Sequence, residues 1–187
     1  YQMWDYILAG HHFKNFSNTF GNSPYLEQAE FLNAYCYYML SPRPSLDQEY
    51  TYLAIQAFRL FMIRYPNNKR IADARELIVE LEEKLVEKSY MSAKLYFDLG
   101  QYKSSIIALN NSLIEYPDTK YREEMMFLIL KSRYLLADKS VLSKQKERFQ
   151  DTLDEYYTFA AEFPEGDFNK EVDDIYQKTA EYLNIED

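Results

Sequence analysis

Apolar residues recur along this chain at helical spacing. Tyr102, Ile106, Leu109, Leu113 and Tyr116 step by four, three, four and three, the stripe of a helix with one buried face. Ala54, Phe58, Phe61 and Tyr65 repeat the pattern, and so do Ile71, Ala74, Ile78, Leu81 and Leu85. The last stripe is expected to run on through Leu95 to Leu99, giving a helix of about 30 residues, or roughly 45 Å. The spacing predicts eight helices, near 4–20, 24–40, 48–65, 69–99, 102–116, 120–137, 144–163 and 168–183.

The breaks between stripes repeat as well. An aromatic, then Pro, then polar residues occur at Tyr65-Pro66-Asn67-Asn68, Tyr116-Pro117-Asp118-Thr119 and Phe163-Pro164-Glu165-Gly166, with a degenerate copy at Phe20-Gly21-Asn22-Ser23. The successive intervals Gly21 to Pro66, Pro66 to Pro117 and Pro117 to Pro164 are 45, 51 and 47 residues. Pro ends the helix before it and pushes its predecessor out of the α region. The Asn, Asp, Ser or Thr that follows can cap the next helix, and Pro24 suits its first position. Repeat ends near 21, 66, 117 and 164 therefore predict one array over 1–187, closed by a last helix at 168–183. Ser41-Pro42-Arg43-Pro44-Ser45 is a loop, and Asp138-Lys139-Ser140 a weaker break.

Composition agrees with an all-α chain. Only four Gly and six Pro stand among 187 residues, against 19 Tyr and 12 Phe. So few turn residues argue against a sandwich or barrel of short strands. The net charge is −9 and the charges are interspersed. No basic stripe suggests nucleic acid or anionic lipid, and no apolar run nears the roughly 20 residues of a membrane helix.

Catalytic chemistry finds little support. His11 and His12 are adjacent, so on a helix they point about 100° apart, unlike an i, i+4 metal pair. Cys36 is the single cysteine and reads as a small buried helix residue rather than a nucleophile. Glu82-Glu83 and Glu123-Glu124 read as solvated helix surface. Glycine is too scarce for a phosphate-cradling loop. No catalytic residue, metal or cofactor is expected.

The unit around Gly100 resembles a tetratricopeptide repeat. Ser92-Ala93 and Tyr96 lie on its first helix, Gly100-Gln101-Tyr102 at the turn, Leu109 and Ser112 on its second helix, and Pro117 at its end. On the same template Trp4-Asp5-Tyr6 falls at the turn of an earlier repeat. The intervals exceed the 34 residues of a simple repeat. That expansion resembles the BamD family, the tetratricopeptide lipoproteins of the outer-membrane β-barrel assembly machine. The phrases that carry it are Asn22-Ser23-Pro24-Tyr25, Ala34-Tyr35-Cys36-Tyr37-Tyr38, Arg64-Tyr65-Pro66-Asn67, Ala93-Lys94-Leu95-Tyr96-Phe97, Glu115-Tyr116-Pro117-Asp118-Thr119 and Lys131-Ser132-Arg133-Tyr134, in that order.

The resemblance implies an α-solenoid and a non-catalytic periplasmic scaffold at the outer membrane. It implies a piece that lacks the lipidated N-terminus and first repeat, so that the lipid anchor lies outside it. Implied partners are unfolded β-barrel clients, the POTRA region of BamA and other subunits of the machine. The family register places Phe31, Tyr35 and Tyr38, and then Tyr90, Lys94 and Phe97, on a concave client-binding face. It places Phe127, Lys131 and Tyr134 on the helix expected to meet BamA, together with Arg133. About half of these rings are expected to pack between repeats, and an internal ion pair of Arg133 with Glu123 or Asp151 is the alternative for that residue. A rival reading is another periplasmic adaptor for envelope or division proteins.

Overall fold

Eight helices form among the described residues, in the order the stripes and breaks predict. They are α1 (Gln2–Thr19), α2 (Leu26–Leu40), α3 (Glu49–Arg64), α4 (Ile71–Asp98), α5 (Tyr102–Glu115), α6 (Arg122–Asp138), α7 (Leu142–Glu162) and α8 (Asn169–Leu183). The computed structural model describes residues 2–185, and side chains from residue 5 onward. No strand occurs among them; the fold is an all-α helical repeat of tetratricopeptide type. Trp4-Asp5-Tyr6, expected at a turn, lies inside α1, and the Trp4 side chain is outside the described set.

The repeat ends share one backbone conformation. Tyr65, Tyr116 and Phe163 have φ/ψ of −127°/60°, −131°/70° and −126°/66°. Each still donates its N–H back to the helix, to Phe61, Ser112 and Phe159, and the Pro that follows can donate nothing. The next helix then starts about two residues later than its capping signals predict. Ser23, Asn68 and Thr119 do not cap the helix itself. Their side-chain oxygens accept the N–H two residues on, from Tyr25, Arg70 and Tyr121, at 3.2, 2.9 and 3.2 Å. They close a single turn that leads into the helix, and Pro24 sits inside that turn rather than at the helix start. Gly166 lacks such a side chain. There Glu123 of α6 accepts the Asp167 N–H at 2.6 Å, and a Cβ on Gly166 would collide with that carboxylate.

Gly100 ends α4 with φ +70°. The Gln101 N–H reaches back to Tyr96 at 2.8 Å and the Gly100 N–H to Phe97 at 2.9 Å. This paired closure needs a left-handed residue, a conformation that glycine adopts without strain.

The chain packs as two units, Tyr1–Lys88 and Ser89–Asp187, with the boundary inside α4. In the first, α2 packs against both α1 and α3, around buried Phe31, Ala34, Ala54, Phe58 and Phe61. In the second, α6 packs against α5, α7 and α8. It is therefore buried all round, from Met125 through Leu130 without a gap. Along α4 the stripe Ala74, Ile78, Leu81, Leu85 is buried as predicted, but its continuation is not. Leu95 and Leu99 are 56% and 61% exposed, and Tyr90 and Ala93 are buried instead. The stripe slips by one residue after Leu85, where one unit gives way to the next.

Candidate functional site

α2, the later part of α4, and α6 each carry a ring at the same register: Phe31, Tyr90 and Phe127. The resemblance implied a binding face for all three. Their exposures are 5%, 8% and 4%, which removes them from any open surface. The reason is a second residue, four places after each repeat-end Pro, that lies over the ring. The Arg70 guanidinium stands 4.6 Å from the Phe31 centroid. Tyr121 stacks on Tyr90 at 4.4 Å and 2°, and Phe168 on Phe127 at 4.4 Å and 11°. The ring position thus seals one repeat to the next. Arg70, Tyr121 and Phe168 were not anticipated, although their constant distance from Pro66, Pro117 and Pro164 is visible in the sequence.

One turn further on stand Tyr35, Lys94 and Lys131. Lys94 donates to Tyr90 Oη at 2.9 Å and to Glu124 at 2.8 Å. Lys131 pairs with Glu171 at 3.0 Å and sits 5.0 Å from the Phe127 centroid. Glu124 and Glu171 both lie seven residues after a repeat-end Pro, so the two pairs are equivalent. α2 departs from this scheme. Tyr35 is 36% exposed and stacks between Phe31 at 6.5 Å and Tyr38 at 5.6 Å.

The third position holds Tyr38, Phe97 and Tyr134, all partly buried. Tyr38 donates to Glu80 at 2.6 Å, and the hydrogen bond to that carboxylate pushes its phenol up to about 12. Lys84 lies 5.7 Å from the same ring; burial lowers its affinity for a proton. Phe97 packs against the core of the second unit and meets Tyr102 at 6.0 Å. Tyr134 meets Phe149 edge-on at 6.1 Å. Arg133 pairs internally, with Glu155 at 2.7 Å rather than with Glu123 or Asp151. Of the α2 rings at these three positions, Phe31 is therefore buried while Tyr35 and Tyr38 keep exposed surface, beside Glu80 and Lys84.

Burial alone would raise the Glu124 carboxyl, but hydrogen bonds from Lys94 and Tyr90 outweigh it and hold the group below its usual range. The Glu124 hydrogen bond chiefly raises Lys94. A depressed carboxylate adds stability above its ordinary pKa and loses it as pH falls through the lowered value. The raised ammonium keeps its contribution until pH climbs above the ordinary lysine range. Glu124→Gln should therefore flatten the fall in melting temperature between pH 7 and pH 3. Both side chains are about a third exposed, so solvent screening limits the effect to about 1 kcal/mol or less. Thermal melts across that interval check it.

Cys36 is buried, and burial raises its thiol pKa, which disfavours the reactive thiolate. The Asn15 amide lies 3.3 Å from the His11 ring, and the His11 and His12 rings meet edge-on at 5.9 Å. Among the described residues no group of three or more His, Cys, Asp or Glu is placed to hold a metal. No described helix is long and apolar enough to cross a membrane.

The model of a family described as "YfiO: Outer membrane lipoprotein" matches residues 1–148. This chain belongs to that family. The YfiO match spans α1 to α6 and the first part of α7. Over 127 residues the chain is 31% identical to the outer membrane protein assembly factor BamD of Neisseria gonorrhoeae, covering 67% of this chain and 46% of that protein. It is 26% identical over 155 residues to the putative assembly factor BamD of Aquifex aeolicus, covering 83% and 50%. It is 26% identical over 117 residues to BamD of Caulobacter vibrioides, covering 63% and 38%. The chain thus spans about half the length of the curated relatives it matches. Membership in the YfiO family groups it with lipoproteins of the outer membrane.

Proposed function

We propose that this chain is a non-catalytic scaffold for the assembly of β-barrel proteins, held at the periplasmic face of the outer membrane. The observation that carries the reading is its membership in a family whose matched relatives are named assembly factors. In this reading the first unit takes extended, aromatic-bearing client segments on Tyr35 and Tyr38. Tyr offers apolar area and a hydroxyl at low entropic cost, which suits a transient peptide surface. The second unit holds the POTRA region of BamA through the exposed parts of Lys131, Arg133 and Tyr134. Positioning rather than turnover is the mechanism: tethering raises the local concentration of client beside the insertion machinery.

The test uses the full chain with two probes, a POTRA fragment of BamA and an aromatic-ended client peptide. Tyr35→Ala should weaken peptide capture about tenfold, or about 1.4 kcal/mol, and leave POTRA capture and the thermal melt unchanged. Arg133→Glu should weaken POTRA capture. Because Arg133 already pairs with Glu155, the swap Arg133→Glu with Glu155→Arg restores the internal pair. POTRA capture still lost in the swap supports the contact; full recovery means Arg133 serves only the fold. Failure of the native chain to capture either probe would overturn the reading.

A further inference from the structure

The chain carries net charge −9, yet every charged side chain that lines one cleft of the second unit is a cation. A cleft of about 350 Å³ lies where the start of α5 meets the end of α6 and the first turns of α7. Its walls include Tyr102, Lys103, Leu136, Lys139, Ser140 and Arg148, and no carboxylate lines it. Lys103, Lys139 and Arg148 form no ion pair among the described residues. That sets them apart from Lys94, Lys131 and Arg133, each matched by a glutamate. Their contacts are with neutral groups: Lys139 donates to Tyr102 Oη at 3.2 Å and Arg148 donates to Ser140 Oγ.

Local chain chemistry reinforces this. Lys139, Lys144, Lys146 and Arg148 crowd into ten residues, against Glu147 alone. Neither α5 nor α7 places an acidic residue in its first turn, where a carboxylate would be favoured by the helix dipole. The N-terminal end of α5 lines the cleft and adds its partial positive charge. Val141 and Leu142, which directly follow the wall residue Ser140 in the chain, are 66% and 82% exposed.

We infer that this cleft is a docking site for an acidic peptide segment of a protein partner, its carboxylates on Lys103, Lys139 and Arg148 and its apolar side chains on Val141 and Leu142. Unpaired cations beside exposed aliphatic groups fit a chain that alternates Glu or Asp with Leu or Val; a bare anion would leave the aliphatic pair without a role. The inference stands apart from the scaffold reading, because it rests on this cleft alone.

Fluorescence anisotropy with the full chain tests it, using a labelled Glu/Leu peptide and a Gln/Leu peptide of the same length. The Glu/Leu peptide should bind and the Gln/Leu peptide should not, with affinity falling as salt screens the contact. Lys139→Glu with Arg148→Glu should weaken binding at least about tenfold, with unchanged circular dichroism. Lys170→Glu, at an exposed cation of α8 that forms no ion pair among the described residues, should change it less than about twofold. Equal loss in both variants would reduce the site to net charge and overturn the inference. So would absence of Glu/Leu binding, or stronger binding to phosphatidylglycerol vesicles that the double variant abolishes.

Discussion

Phe31→Ala should destabilise the chain by about 3–5 kcal/mol, the usual cost of emptying a buried phenylalanine site. Phe31 is 5% exposed and presents its ring to Phe58 at 5.6 Å and Phe61 at 5.4 Å, both edge-on. Phe58 and Phe61 are themselves sealed from solvent, so the cavity would be lined by rings that cannot collapse into it without leaving their rotamers. The substitution also strips the surface under Arg70, whose guanidinium stacks 4.6 Å from the ring and would lose a cation–π contact. A urea titration followed by circular dichroism reads the loss as a lower midpoint at unchanged slope. The paired measurement is peptide capture at a temperature where the variant is still folded. Capture should then be close to native, the reverse of Tyr35→Ala, which spares the melt. A Phe31→Ala protein with a native midpoint and no peptide capture would return this ring to the binding face.

This contrast shows what the sequence could and could not disclose. Helix existence was legible, because the three-four stripes and the aromatic-Pro breaks are local signals; the helix starts were not, because the single turn after each break delays them. Which ring of Phe31, Tyr35 and Tyr38 faces outward was not. All three sit one turn apart on one side of α2, and periodicity gives buried and open members the same score. The deciding residue is Arg70, 39 positions further along, and only the crossing of the helices brings it over Phe31. The same limit applies to Arg133. Its partner Glu155 is about four turns past a break whose path no local pattern specifies, while Glu123 and Asp151 are nearer in sequence. In α4 the periodicity extends a single stripe through Leu95 and Leu99, but the helix serves two units in succession and its buried side shifts between them.

Gln48→Met should cost about 2–3 kcal/mol, although it keeps the volume and most of the shape of the side chain. Gln48 is 3% exposed at the base of the Ser41–Asp47 loop. Its amide donates to the Arg43 and Leu46 carbonyls, each at 3.0 Å, and lies 3.4 Å from the Pro44 carbonyl. Its carbonyl accepts from Thr51 Oγ1 at 2.7 Å. Two of the loop residues are Pro and cannot donate, so the loop has few N–H groups of its own to satisfy these acceptors, and one side chain does it. Removing the amide leaves part-buried carbonyls and a buried hydroxyl short of partners, each worth about 1–3 kcal/mol when fully desolvated. Gln48→Glu should be at least as damaging at neutral pH, because an ionised carboxylate cannot donate to a carbonyl. Acidification should partly rescue that variant, since its protonated form regains a donor, while the methionine variant gains nothing. The consequence reaches the aromatic pair. Lys84 donates to Ser41 Oγ at 3.0 Å and lies over Tyr38, and Ser41 in turn shares a 2.7 Å hydrogen bond with Thr51. A loosened loop frees Lys84, so peptide capture should weaken along with stability in both variants. Urea midpoints at pH 7 and pH 4, with limited proteolysis across Pro42–Pro44, check the order of effects. Equal midpoints for the native chain and Gln48→Met would mean that solvent already satisfies the loop.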